Sequence, residues 1–272
     1  MTSKKRHSPE SPVAVYAAFA EIYDDFMDHV PYGAWAAYLL RRCRHLQDGR
    51  APVAVADLGC GTGRLLEHLP RRMQMHGLDG SAEMLARARR RLGQSARLRQ
   101  GRLEERLPFG DGQLPWLCST HDSLNYLTDP EDLRQHFAEA ARVLAPGGLY
   151  SIDLVSLNNI LKNFDGRRLE HRVRDRRLVW NNRYDRQSRV MRSELEFEAP
   201  GRSGAHDIDG ADDGSGARIL REVHTQRYYT IPEIKQLAAG AGLRLELVEG
   251  DYEPREHTAD DHFWNLHLRR VA

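Results

Sequence analysis

The chain has 272 residues, enough for one large core or for a core that carries a lid. Lys and Arg number 40 against 39 Asp and Glu, a net charge of +1, so charge alone makes no case for nucleic acid as a partner. No apolar run approaches the roughly 18 residues that cross a bilayer, and Cys43, Cys60 and Cys118 form no C-x-x-C pair, which excludes a zinc knuckle and points to a reducing, cytoplasmic setting.

Met1 to Glu10 is polar and basic with no apolar segment behind it, which reads as a short disordered tail and not a secretory signal. Tyr16, Phe19, Tyr23, Phe26 and Val30 recur at helical steps and predict a helix over Ser11 to His29, ended by Pro31. A second helix runs from about Gly33 to Asp48-Gly49. The apolar run Val53 to Leu58 then enters glycines, as a buried parallel strand does. Alternation follows: helix Arg64 to Arg71, strand Gln74 to Asp79, helix Ser81 to Leu92 and strand Arg97 to Gly101. Strand Leu114 to His121, helix Pro130 to Leu144 and strand Leu149 to Val155 continue it. This order predicts an α/β fold with a doubly wound parallel sheet.

Beyond Val155 the period changes to two. Met191, Ser193, Leu195 and Phe197 face one way, while Arg192, Glu194, Glu196 and Glu198 face the other. Arg177 to Tyr184 and Ile219 to Tyr229 also read as strands, so a small antiparallel sheet is inserted into the α/β domain. The arginine-dense stretch Arg167 to Arg177 reads as solvated strand surface. The Gly-, Asp- and Ser-rich stretch 200–218 reads as a flexible hairpin tip. Its aspartates do not fit a calcium loop: counting from Asp207, Ala211 stands at the fifth position and Asp212 at the sixth, where an oxygen ligand and glycine are needed. Helix Ile231 to Ala241 and two last strands, Leu243 to Tyr252 and His262 to Arg270, return to the core. The expected organisation is a helical cap over 1–50, a core over 51–160 and 230–272, and an inserted β lid over 161–229.

The stretch Asp57-Leu58-Gly59-Cys60-Gly61-Thr62-Gly63 sits between a strand and a helix. Glycine there lets the backbone turn sharply and approach a ligand, and the helix N-terminus offers unpaired N–H groups. Asp79 ends the next strand, 20 residues after Gly59, where a carboxylate can accept from both ribose hydroxyls of a nucleoside. The dinucleotide spacing G-x-G-x-x-G would place a glycine at Arg64; the glycines here fall as G-x-G-x-G, which argues against an NAD-dependent oxidoreductase.

That spacing resembles the class I S-adenosylmethionine (SAM)-dependent methyltransferase family. Asp57 to Gly63 looks like its first motif, Leu78 to Leu85 its second, and Leu144-Ala145-Pro146-Gly147-Gly148 its late turn before the fifth strand. His121 to Leu127 and Phe19 to Met27 are similar to a small-molecule branch that includes sugar-amine N-methyltransferases. The resemblance implies a Rossmann-like seven-stranded sheet whose last strand is antiparallel. It implies that Gly59, Gly61 and the backbone near Asp57 receive the amino acid end of SAM, that Asp79 holds the ribose, and that Gly80 and Met84 flank the adenine. Cys60, between the glycines, and Leu103 complete the candidate cofactor set; Gly101-Arg102-Leu103 stands where the family often has an acid near the adenine amine.

Methyl transfer from a sulfonium requires alignment, exclusion of water and, for some acceptors, removal of a proton. Tyr23 either covers the sulfonium by a cation–π contact or packs in the helix stripe, where Tyr16 and Trp35 are placed. His121 and Asp122 end the fourth strand, the edge where such sheets bind ligands; His121 is the candidate base and Asp122 a residue that orients the acceptor. Tyr126, His224 and Tyr228 are candidates for the acceptor pocket. The expected acceptor is a small molecule presenting nitrogen or oxygen, with no metal, no membrane partner and a homodimer left open. A non-catalytic SAM-binding protein and an RNA or protein methyltransferase are the alternatives; the Asn/Asp-Pro-Pro-Tyr motif of base and amide methylation is absent.

Overall fold

The structure is a computed structural model that describes residues 15–174, 176–198 and 219–271. The tail before Val15 and the 200–218 tip, with the calcium question attached to it, lie outside the described residues. After a short helix α1 (Ala20–Phe26) and a longer α2 (Tyr32–Leu46), the chain alternates β1 (Ala54–Leu58), α3 (Arg64–Glu67), β2 (Gln74–Asp79), α4 (Ala82–Leu92) and β3 (Ala96–Gln100). Then come β4 (Leu114–Ser119), α5 (Pro130–Val143), β5 (Leu144–Val155) and the short turn α6 (Leu157–Asn159). Four strands follow, β6 (Arg168–Val173), β7 (Arg176–Asp185), β8 (Val190–Glu198) and β9 (Ile219–Arg227), before α7 (Ile231–Gly240), β10 (Leu243–Gly250) and β11 (Phe263–Arg270).

The first sheet has seven strands in the order β10-β11-β5-β4-β1-β2-β3. β1 pairs in parallel with β2 and β4, whereas β11 runs antiparallel to both β5 and β10, so the expected fold is the observed one. Every residue of β1 is buried, which is why its sequence is apolar apart from Asp57. One face packs on α5 and α7 through Leu58, Phe137, Tyr150 and Ile234; the other packs on α2 and α4 through Val55, Trp116, Leu39 and Leu85. The second sheet, β6-β7-β8-β9, is antiparallel throughout. Leu178, Leu195 and Phe197 from it close on Phe19 and Ile22, so α1 packs on the second sheet while α2 packs on the first.

Several boundaries differ from the sequence reading. The first helix begins at Ala20; Tyr16 is left-handed, with φ at 61°, and lies in the segment that leads into it. α3 stops at Glu67, before Pro70, and not at Arg71. β4 stops at Ser119 because His121 and Asp122 are left-handed, at φ 59° and 51°. β5 starts at Leu144, its register with β4 shifting between Leu114 and Trp116 as it passes the Pro146-Gly147-Gly148 turn. The arginine-rich stretch supplies an extra strand, β6, at the edge of the second sheet. No helix among the described residues is long and apolar enough to cross a membrane, and no group of three His, Cys, Asp or Glu side chains among them is placed to hold a metal.

Candidate active site

Two cavities open at the carboxyl edge of the first sheet, the edge where doubly wound folds bind ligands. The smaller, about 640 Å³, lies over the β1-to-α3 crossover and is lined by Asp57, Gly59, Cys60, Gly61, Asp79, Gly80, Met84 and Leu103. The larger, about 820 Å³, lies between the N-terminal residues, the end of β4 and the second sheet. Both volumes fall in the range of small-molecule sites. Tyr16, Tyr23, His121 and Tyr126 line both cavities and mark their junction.

In the smaller cavity the glycines do steric work. Gly59 has φ at 82°, and a Cβ there would stand 2.6 Å from Ser123 Oγ. Gly63 has φ at 79°, and its Cβ would meet Leu92 at 2.7 Å. The Gly59 and Cys60 N–H groups both donate to the Leu78 carbonyl, at 2.8 and 2.9 Å, which stitches the turn to β2. Asp79 accepts from the Gly61 N–H at 2.7 Å and from the Ser81 N–H at 2.9 Å. Each of its oxygens keeps a further lone pair; burial holds its carboxyl above the usual range. Asp57 is 2% exposed, and its Oδ1 has no hydrogen-bond partner among the described residues. Burial, reinforced by Asp79 and Asp153, pushes its carboxyl up to about 7. A buried acceptor without a partner is costly unless something else donates to it.

At the junction, the left-handed pair His121-Asp122 is held from β5. Asp153 accepts the His121 N–H at 2.7 Å, the Asp122 N–H at 2.6 Å and the Tyr252 hydroxyl. Burial nonetheless raises Asp153 to about 6. Asp122 is raised to about 8, by burial first and then by Asp153, although Gln226 hydrogen-bonds its carboxyl. His121 sits among Tyr32, Trp35 and Phe263, with ring centroids 5.5 to 6.1 Å away. Burial lowers it to about 4, and its Nδ1 has no partner among the described residues. The imidazole is therefore neutral near pH 7.

All nine candidate cofactor residues, Tyr23 included, line the smaller cavity; Tyr126 and His224 line the larger one with His121 and Asp122. Tyr228 is not brought there. It packs with Val155, Ile160, Tyr184 and Met191 and lines neither cavity. The sequence reading also missed Asp153, Glu222 and Gln226. The signal for two of them was present: along β9, Glu222, His224 and Gln226 alternate and share the buried face, where polar side chains are out of place without partners.

Residues 55–148 match the family described as a methyltransferase domain. The chain is similar to a Streptomyces venezuelae dTDP-3-amino-3,4,6-trideoxy-alpha-D-glucopyranose N,N-dimethyltransferase, 29% identical over 254 residues, 85% of this chain and 92% of that one. Its fold is that of an S-adenosylmethionine-dependent methyltransferase from Clostridium acetobutylicum ATCC 824, with a TM-score of 0.77, 21% identity, and 93% and 98% of the two chains covered. It is also similar to SAM-bound CalS10, an amino pentose methyltransferase from Micromonospora echinaspora, with a TM-score of 0.67, 25% identity, and 97% and 100% of the two chains covered. With the glycine turn and Asp79 placed around one cavity of a seven-stranded sheet that ends antiparallel, residues 55–148 form a methyltransferase domain, the chain has the class I SAM-dependent methyltransferase fold, and SAM is its cofactor.

Proposed function

We propose that this methyltransferase acts on a small molecule seated in the larger cavity, through an amine nitrogen in preference to a hydroxyl. The observation that carries the reading is the meeting of two cavities at Tyr16, Tyr23, His121 and Tyr126, one fitted to the cofactor and the other lined by acids and aromatic rings. SAM, when bound, supplies a methyl group on a sulfonium, already a good leaving group.

The residues of the smaller cavity fit that cofactor. The unpartnered Asp57 Oδ1 is matched to the ammonium of its amino acid end, beside the open backbone of Gly59, Cys60 and Gly61. The free lone pairs of Asp79 suit the ribose hydroxyls, and Gly80, Met84 and Leu103 form the wall for the adenine. In the larger cavity Asp122, with its raised proton affinity, takes the proton released by an ammonium acceptor. Neutral His121 offers its free Nδ1 to orient the acceptor, and Tyr126 and His224 complete the wall. This reverses the roles that the sequence suggested for His121 and Asp122. The amine preference draws further support from the two relatives whose names identify amino sugar substrates.

Calorimetry with S-adenosylhomocysteine, the demethylated product of the cofactor, tests the first half. Asp79→Ala, which removes a charged acceptor, is expected to weaken binding at least about tenfold while the protein stays folded. No heat with the unaltered protein would remove the cofactor assignment. A SAM-consumption assay across amine and alcohol metabolites tests the second half; turnover with alcohols alone would overturn the preference for nitrogen.

A further inference from the structure

Glu222 is fully buried on β9. Its Oε1 accepts the Ala18 and Phe19 N–H groups, each at 2.7 Å, and its Oε2 accepts the Tyr16 N–H at 2.9 Å. The same Oε2 lies 3.1 Å from His224 Nε2. One carboxylate thus gathers three backbone donors and an imidazole. Tyr16 is further tied by its carbonyl, which accepts the Ser81 hydroxyl at 3.0 Å, and by its own hydroxyl, 2.7 Å from that of Tyr126. Tyr126 in turn lies 2.8 Å from His224 Nδ1. A left-handed aromatic residue held at three points is strained backbone that its surroundings over-determine.

The protons of this chain have a direction. With the single imidazole proton on Nε2, facing the Glu222 carboxylate, His224 Nδ1 is an acceptor. Tyr126 therefore donates to His224, and Tyr16 donates to Tyr126. The Tyr16 oxygen keeps its lone pairs free at the junction of the two cavities.

We propose that Glu222 is a positioning residue for methyl transfer: it seats residues 16–19, of which Tyr16 lines both cavities, and, through His224 and Tyr126, turns the Tyr16 oxygen toward their junction. The inference rests on the reading that the smaller cavity holds SAM. It ties the inserted sheet to cofactor binding, although no residue of that sheet lines the cofactor cavity. By reciprocity, whatever Glu222 contributes to cofactor affinity, the cofactor contributes to the hold on the segment.

The test is amide hydrogen exchange at residues 16–19, with and without saturating S-adenosylhomocysteine, beside calorimetry. In the unaltered protein the ligand is expected to slow exchange there about tenfold or more, and Glu222→Gln to weaken ligand affinity by a similar factor, as expected for lost bonds to a charged group. A purely structural Glu222 would lower the melting temperature and leave both readouts unchanged, which would overturn the proposal. If the variant does not fold, the exchange comparison in the unaltered protein decides alone. Tyr126→Phe breaks the relay but leaves the carboxylate's hold: exchange stays slow while affinity drops, and unchanged affinity would refute the part played by Tyr16's orientation. Heat without protection sinks this inference only; absence of heat with the unaltered protein removes the cofactor reading and the inference with it.

Discussion

Asp122 keeps its proton until pH approaches 8, because burial and the neighbouring Asp153 both penalise its charge. A carboxyl must shed its proton before it can take another, so kcat/KM is expected to rise with pH through about 8 and level off above it. Asp122→Asn is expected to flatten that rise. A flat profile from pH 6 to 9 in the unaltered enzyme, measured under subsaturating acceptor, would instead favour His121, which is already neutral over that range. His121, Asp122 and Asp79 were legible in the sequence because each stands at the end of a strand whose apolar run can be counted. Asp153 was not: its role is to grip the backbone of residues 31 and 32 positions earlier, and nothing adjacent to it in the chain announces that contact. Glu222 binds a segment more than 200 positions away, which only the folded arrangement brings near.

The turn between β1 and α3 has little room for change. Gly59→Ala would place a methyl 2.6 Å from Ser123 Oγ at a left-handed φ, so a loss of about 1–3 kcal/mol in stability is expected, together with weaker S-adenosylhomocysteine binding. Chemical denaturation and calorimetry on the same variant would measure both, and wild-type values in both would refute the steric account. The inner strand β1 was readable as a short, mostly apolar run because it is covered on both faces, whereas β3, at the sheet edge, is largely exposed and carries two arginines. The second sheet was readable through its period of two; β6, whose charged residues lie mostly exposed at an edge without apolar alternation, was legible only as solvated strand surface. The first helix was drawn too long for a related reason. Helical spacing continues back through Tyr16, but Tyr16 serves the cavity junction and takes a left-handed backbone instead.

Burial sets the pH response of the folded protein as a unit. It raises Asp57 to about 7, Asp122 to about 8 and Asp153 to about 6, and lowers His121 and His136 to about 4 and His267 to about 3. A raised carboxyl stabilises most at low pH, and its contribution is lost as pH rises through its folded value. A lowered histidine contributes fully above its ordinary value of 6.5 and loses that contribution as pH falls through the folded value. The two sets oppose each other at mildly acidic pH, and above 6.5 only the carboxyls still change. The melting temperature is therefore expected to fall from about pH 6.5 to beyond 8, less steeply in Asp122→Asn; thermal scans in a buffer series would check it, and a rise would contradict it. Apart from the four residues they share, the two cavities draw on different parts of the chain: the smaller uses residues 15–132 alone, while the larger takes one side from residues 159–226. On the proposed placement of the acceptor, its choice is separable from donor handling except through Glu222. A graft that exchanges the inserted strands for those of a relative would retarget the reaction, provided the newcomer still presents a carboxylate to the entering chain where Glu222 now stands.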